Sequence, residues 1–449
     1  MYFIQMTKVL QLFYFLIFFN CFVGFSQSSD GFQFHRSNKR SYKINFKAYN
    51  NLIIIKVKLN GQYMNFLLDT GVDKTVLFGL KDIDGKIKNK SEKILIRGVS
   101  GKQKTFAYYI KNNVLEIGKL KDDSHNIYAI FDQNFNISNK IGYQIQGIIG
   151  FEFFRNLIVK ISYSNKFLKI YNPEFFSKKL RSYQALDLRL YLRKPYIKSS
   201  VKKNEYWQDY VFLLDTGSGD AVWVMPEEDK EFPNSYFYDI LGYGLADIIT
   251  GIRSKAKALQ VGKHIMQKPK IAYPDTTLYK GVSFTKKSGV LGAEIMRRFD
   301  WVLDYSNAKA YIKPNNNYYD DFNYDMSGLL FKYDGYLNIT RYEIVFPQTD
   351  QKNNYNNETD FKKAKQQLIL EQRPILKVAA VRYNSSAYQA GFLENDIILK
   401  IDGRDSYKFN LDEISGILSS KEGRKINFVI ERNGYVYKKS LVLKSRFSE

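Results

Sequence analysis

Phe66-Leu67-Leu68-Asp69-Thr70-Gly71 and Phe212-Leu213-Leu214-Asp215-Thr216-Gly217 are two copies of one phrase. In each, an apolar run ends in an aspartate, then a small hydroxyl residue, then glycine. A single Asp-Thr-Gly says little, because Asp and Gly crowd into ordinary turns. Two copies say more, since each is also followed by an apolar stretch: Val76-Leu77-Phe78 in the first, Ala221-Val222-Trp223-Val224 in the second. They read as two halves of one site, with the rest of the chain as support.

Working outward, the surroundings repeat as well. Residues 44–173 read as a first β-rich unit. Leu52 to Leu59, the hairpin signal Asn60-Gly61 and Tyr63 to Leu68 place Asp69 at the end of the second arm of a hairpin. Gly98-Val-Ser-Gly101 lies between apolar runs and predicts a second hairpin with a flexible tip. Residues 186–315 follow the same plan. Gly242-Tyr243-Gly244 begins 27 residues after Asp215, where Gly98 stands 29 after Asp69. Gly289-Val290-Leu291-Gly292 begins 74 residues after Asp215, and Gly147-Ile148-Ile149-Gly150 begins 78 after Asp69. The endings match too: Ile161-Ser-Tyr-Ser-Asn165 against Leu303-Asp-Tyr-Ser-Asn307. Agreement in order, spacing and wording marks an internal duplication.

Residues 316–326, rich in Asn, Tyr and Asp, read as a linker. Residues 327–449 read as a third, mixed β unit with one clear helix from Asp412 to Ser420 and a polar, Asn-rich insertion at 350–360. The first 26 residues resemble a secretory signal: Lys8, then a mostly apolar run from Val9 to Phe25, then small residues at the −3 and −1 positions of a cut before Gln27. An uncleaved anchor is the rival reading, but the run is short for a span and carries Gln11 and Asn20. The expectation is an exported protein, periplasmic, cell-envelope or secreted.

Composition narrows the chemistry. The 449 residues suit two or three domains, and aromatic residues at 16% favour strands over helices. The single cysteine, Cys21, and three histidines, His35, His125 and His264, cannot make an intrachain disulfide or a Cys/His zinc set. A Ser-His-Asp triad would need one of three isolated histidines without a supporting motif. The net charge of +23 comes from scattered lysines, with no long basic run and no nucleic-acid module, so it reads as a solvated surface.

What remains is the aspartate pair. Two carboxyls held about 3 Å apart cannot both ionise cheaply, so they share one proton. The ionised member is a general base for water, and the protonated member a general acid toward a carbonyl. Phe-Leu-Leu supplies a rigid strand behind each aspartate. Gly71 and Gly217 let backbone approach a carboxylate closely. Thr70 and Thr216 are placed to hydrogen-bond across the junction. The two apolar-apolar-Gly segments would pack beneath the aspartate loops.

Over residues 44–315 this arrangement resembles the pepsin/retropepsin class of aspartic proteases, with lobes short enough to look like two fused retroviral-type subunits. The resemblance implies a mainly β, bilobal acid-protease fold. It implies Asp69 and Asp215 as the catalytic pair, no cofactor and no metal, a peptide or protein substrate, and mobile flaps with Gly98, Gly101, Gly242 and Gly244 at their tips. No partner subunit is needed to complete the site. The class usually has Ser, Thr or Ala after the glycine; Ser218 fits and Val72 does not. A Ser218 hydroxyl donating to the outer carboxylate oxygen would make Asp215 the easier member to ionise.

Ser385-Ser-Ala-Tyr-Gln-Ala-Gly391 and Glu394-Asn395-Asp396-Ile-Ile-Leu-Lys-Ile-Asp-Gly403 resemble a PDZ domain of the bacterial protease-associated kind. Ser386 replaces a proline and Asn395 a glycine of the usual pattern. Such domains bind extended peptides or C-termini, which makes Ser327 with Gly328, Leu329 and Leu330 a candidate carboxylate-binding loop. The rival to an endopeptidase with PDZ recruitment is a non-catalytic envelope scaffold or peptide-binding protein that keeps the fold.

Overall fold

The computed structural model describes residues 31–35, 39–78, 92–97, 104–132, 135, 137–176, 180–225, 233–244, 248–275, 288–345 and 365–447. The leader, Cys21, the first hairpin tip with Gly98 and Gly101, and the insertion at 350–360 lie outside them.

The described residues are mainly β, in four sheets. The first lobe is built on the hairpin Leu52–Leu59 and Gln62–Leu68. Its turn is set by Asn60 and Gly61, both at positive φ, as a two-residue turn of this hand requires. The inner strand pairs in parallel with Gly147–Ile149, and Ile149 stands opposite Leu68. The second lobe repeats this: Lys194–Lys202 pairs with Trp207–Asp215, and Trp207–Asp215 runs parallel to Ser288–Gly292. Phe66, Leu68, Phe212 and Leu214 are all completely buried, so the apolar phrase before each aspartate is a core strand.

The matching endings have a use that the repeat alone did not reveal. Ile158–Ser162 and Phe299–Asp304 pair antiparallel with each other, at the centre of a six-stranded sheet drawn from both lobes. Lys160 stands opposite Val302, and these are equivalent positions of the two repeats. The pseudo-dyad of the duplication therefore passes through this pair. Strands Ser41–Asn45 and Gln184–Asp187 complete the sheet on its two sides, at the margins of the expected units. One apolar core runs continuously through both lobes.

The third unit has its own core, including Leu376, Ile398, Ile414, Leu418 and Ile430. Its helix, Leu411–Leu418, starts in a capping box between Asn410 and Glu413. Two 17-residue strands, Leu329–Val345 and Lys365–Val381, pair along their length, and the first forms an edge of the sheet. The outer half of this ribbon mixes polar and apolar residues and carries no clear strand signal in the sequence. Among the described residues, no helix is long and apolar enough to cross a membrane.

Candidate active site

Each aspartate sits where its strand ends. The Asp69 N–H donates to Ile149 O at 2.9 Å, so the Gly147–Ile149 strand fixes the first loop from beneath. Gly150 and Gly292 are tight contacts: a Cβ on Gly150 would lie 2.3 Å from the carbonyl oxygens of Asp69 and Val72, and one on Gly292 would lie 2.2 Å from that of Asp220. Only glycine lets these segments pass under the loops.

Thr70 and Thr216 lock the loops together. Each backbone N–H donates to the other's Oγ1 at 3.0 Å. Each hydroxyl then donates across the junction, Thr70 to Leu214 O at 2.6 Å and Thr216 to Leu68 O at 2.7 Å. Both threonines are buried. All four bonds cross between lobes, so lobe spacing and carboxyl spacing are one quantity.

The glycines complete the arrangement crosswise. The Gly71 N–H donates to Asp69 Oδ1 at 2.7 Å and the Gly217 N–H to Asp215 Oδ1 at 2.8 Å. A Cβ on Gly71 would lie 2.9 Å from the Asp215 carboxyl, and one on Gly217 would lie 2.2 Å from that of Asp69. Each glycine thus makes room for the carboxyl of the other lobe.

The two acids differ. Burial, then the neighbouring Asp215 charge, push Asp69 well above the usual carboxylate range against one N–H donor, Gly71. Burial also raises Asp215, but a hydrogen bond from Asp69, the Gly217 N–H, Lys194 and the Ser218 N–H all oppose it. Both carboxyls are raised, Asp69 the further of the two.

The source of this asymmetry corrects one expectation. The donor from Ser218 to Asp215 is the backbone N–H, at 3.1 Å, not the hydroxyl. The equivalent Val72 N–H turns to Asp69 O at 3.4 Å instead. Backbone geometry, rather than the presence of a hydroxyl, separates the two loops.

Three further groups bear on the pair. Tyr163 and Tyr305 occupy equivalent places in the repeated endings. Their buried hydroxyls have no hydrogen-bond partner among the described residues. Both are raised by burial, then by charge: Asp215 acts on Tyr163 and Asp69 on Tyr305. Lys194, the first residue of the strand Lys194–Lys202, acts on both aspartates. The tyrosines were visible as matching letters in the endings; nothing in the sequence pointed to Lys194. Among the described residues no His, Cys, Asp and Glu cluster is arranged to hold a metal.

Gly242 and Gly244 stand at the far end of a hairpin, Tyr236–Tyr243 with Ile248–Lys255, and Gly242 forms a bulge at φ +137°. The bulge fits the flap-tip expectation in place. Between the two glycines, however, the Tyr243 hydroxyl donates to Phe331 O of the third unit at 3.0 Å, so this hairpin is docked.

The expected carboxylate-binding loop needs correction as well. Gly328, at φ +82°, begins the turn into the edge strand. Its N–H donates to Asp325 Oδ2 at 2.8 Å, and the Leu329 N–H donates to Ser327 Oγ at 3.0 Å. The loop has filled its own donors; Asp325, buried and so pushed upward, is the acceptor that the sequence did not single out. The groove between edge strand and helix is also approached from the first lobe. The Leu411 N–H donates to the Tyr49 hydroxyl at 2.7 Å, and a Cβ on Gly142 would stand 2.8 Å from Leu411 and 3.1 Å from Tyr333.

Fold and site together define a bilobal aspartic-protease architecture carrying a C-terminal PDZ-like unit. Comparison with protein families agrees: an aspartyl protease family matches residues 55–153, and a PDZ domain family matches residues 377–432. No curated protein matches the chain.

Proposed function

We propose that the protein is an aspartic endopeptidase, with Asp69 and Asp215 as its catalytic pair and the PDZ-like unit recruiting peptide or protein substrate. The observation that carries this reading is the reciprocal Thr70–Thr216 bonding, which holds two buried, unequally acidic carboxyls against each other's glycines. A structural turn has no need of that cost, since burying a carboxylate is unfavourable unless it is used or neutralised.

In the mechanism, ionised Asp215 takes a proton from a water whose oxygen attacks the peptide carbonyl carbon. Asp69 gives its proton to the carbonyl oxygen. The gem-diol then collapses: the C–N bond breaks, Asp215 returns its proton to the leaving nitrogen, and a hydroxyl proton goes back to Asp69. Atoms balance, and no covalent enzyme intermediate forms. Recruitment uses the edge strand Leu329–Val345, which can pair with an added peptide strand. The apolar leader at residues 1–26 supports export to the periplasm, envelope or medium.

The test is cleavage of a mixed peptide library from acidic to neutral pH by the parent protein, Asp69→Asn and Asp215→Asn. Loss of cleavage in both variants supports a shared pair. A correctly folded parent that cuts nothing at any pH sinks the catalytic reading in favour of a peptide-binding scaffold.

A further inference from the structure

The outer half of the ribbon formed by Leu329–Val345 and Lys365–Val381 stands apart from the rest of its sheet. The second strand meets its next neighbour only at Lys377, opposite Ile397. From 336 to 344 and from 366 to 374, among the described residues, the two strands pair with each other and with no third strand. A two-stranded ribbon is marginal in water unless something packs against one of its faces.

The pairing sorts the mixed sequence of this half by face. Tyr342 stands opposite Leu368, Thr340 opposite Leu370 and Ile344 opposite Gln366, so the even-numbered residues of both strands share one face. Every charged residue of these two stretches is odd-numbered and falls on the other face: Arg341, Glu343, Glu371 and Arg373. They pair there, Arg373 with Glu371 at 2.8 Å and Arg341 with Glu371 at 3.8 Å. Ile339 and Ile369 lie half-buried on that face.

The even-numbered face carries no charge at all, in a chain of which 25% is charged. Its large side chains, Tyr336, Tyr342, Ile344, Leu368 and Leu370, are 53–73% exposed. The rest of the face is Asn, Thr, Gln and Pro. Single exposed apolar residues are ordinary, but a contiguous apolar face without charge marks an interaction surface.

The charges decide what covers it. Those of the ribbon cancel, Arg341 and Arg373 against Glu343 and Glu371, so it lacks the basic polar face that draws an apolar element into an anionic lipid surface. Against a second copy, uncharged residues meet uncharged residues and both charged faces stay in water. The area suffices as well. Large side chains that are more than half exposed offer roughly 600 Å² per copy, or about 1,200 Å² in all, the lower end of the range for specific interfaces.

We propose that the protein forms a two-fold dimer in which the uncharged face of this ribbon packs on the same face of a second copy. The contact is isologous and uses the face of the ribbon, so the edge of Leu329–Val345 stays open to a peptide. The inference depends neither on catalysis nor on recruitment. Each chain carries a charge of +23, which opposes association. Salt screens that repulsion, so the dimer tightens as salt rises, whereas attachment of the same chain to anionic lipid would loosen.

The experiment is sedimentation velocity of the full chain over a wide dilution series at low and high salt, with hydrogen exchange followed at both ends of the series. The chain begun at Gln27 is run beside it to control for the apolar leader. The expected result is a monomer–dimer equilibrium about ten-fold tighter at high salt, with slower exchange over 336–344 and 366–374 in the concentrated sample. Tyr342→Lys and Leu370→Lys each weaken the dimer by about ten-fold or more, as a charge buried in an apolar contact does, while Glu343→Gln on the charged face leaves it unchanged. A monomer under all conditions overturns the inference. So does a dimer whose formation leaves exchange in the ribbon unchanged, or one that is lost with the leader. Binding of the monomer to phosphatidylserine vesicles through the ribbon, weakening with salt, would assign the face to a membrane surface instead. If a lysine variant fails to fold, the concentration dependence of exchange in the parent protein decides by itself.

Discussion

Gly217 lies so close to Asp69 that a Cβ built on it would stand 2.2 Å from the Asp69 carboxyl carbon. The reverse approach, Gly71 to Asp215, leaves 2.9 Å. Substitution by alanine is therefore expected to act across the lobe boundary, and unequally. Gly217→Ala must displace Asp69 and lowers kcat by about 100-fold or more, as misplacement of a reacting group does. Gly71→Ala is the milder change. Kinetics on both variants, with circular dichroism to show that the sheets persist, check this; equal losses would sink the crosswise account.

The contribution of Ser218 to Asp215 is its N–H. Ser218→Ala keeps that N–H, so the acid limb of the pH–rate profile is expected to move by less than about 0.3 units, well inside the range that a lost charged hydrogen bond would give. Val72→Ser is likewise expected to leave the limb in place, because the backbone of that loop aims its N–H at a carbonyl. A clear shift in either variant would return the asymmetry to the hydroxyl.

Asp69 is raised in the fold by burial and then by Asp215. Between its unfolded value and its raised folded value, the native state binds the extra proton. The stability associated with this group is present at pH below the unfolded value and is lost as pH climbs through the folded one. Asp69→Asn has no such titration. Its melting temperature is expected to gain on the parent as pH rises from about 3 toward 7, with the other titrating groups common to both proteins. A constant difference across that range would argue against a buried, proton-holding Asp69.

Much of this was legible because the chain says it twice. The Phe-Leu-Leu-Asp-Thr-Gly phrases, the apolar-apolar-Gly segments and Asn60-Gly61 carry local signals, and the geometry of those segments follows from them. The central sheet was harder to see: Ile161 to Asn165 and Leu303 to Asn307 were matched as letters, yet pairing between the repeats is a long-range fact with no local mark. The donor from Ser218 was misassigned because sequence displays side chains and hides which way an N–H points. The bond from Arg382 to Asp239, between the PDZ-like unit and the second lobe, was missed for a related reason: single charged residues 143 positions apart acquire meaning only when the two units meet.

Arg253 holds two buried carboxylates at once, Asp220 and Asp239. Burial alone would raise Asp220, yet Arg253 and Lys270 hold it down at about 2. Its stabilising contribution is then present above the unfolded value and is lost as pH falls toward 2. Arg253→Met leaves both acids short of their main partner, and the expected cost is about 3–5 kcal/mol by chemical denaturation at neutral pH. The cost should shrink in acid, where the acids can be protonated. A loss below about 1 kcal/mol would mean that the charges are exchanged freely with water.

Tyr243 donates its hydroxyl to Phe331 O, the direct bond between the second hairpin and the edge strand of the PDZ-like unit. Tyr243→Phe removes that bond while keeping the ring. A hydrogen bond of this kind contributes about 0.5–1.5 kcal/mol, so local opening of the hairpin should become about 2–12 times more frequent. Hydrogen exchange over residues 236–243 is the measurement, and it should quicken by that factor while the central strand Ile158–Ser162 stays as in the parent. The same variant should bind an edge-strand peptide more tightly, since the peptide no longer competes with the hydroxyl for Phe331. Exchange that is unchanged in the hairpin would show that the Arg382–Asp239 ion pair and the packing of Phe237 against Tyr324 and Phe447, rather than Tyr243, hold the two units together.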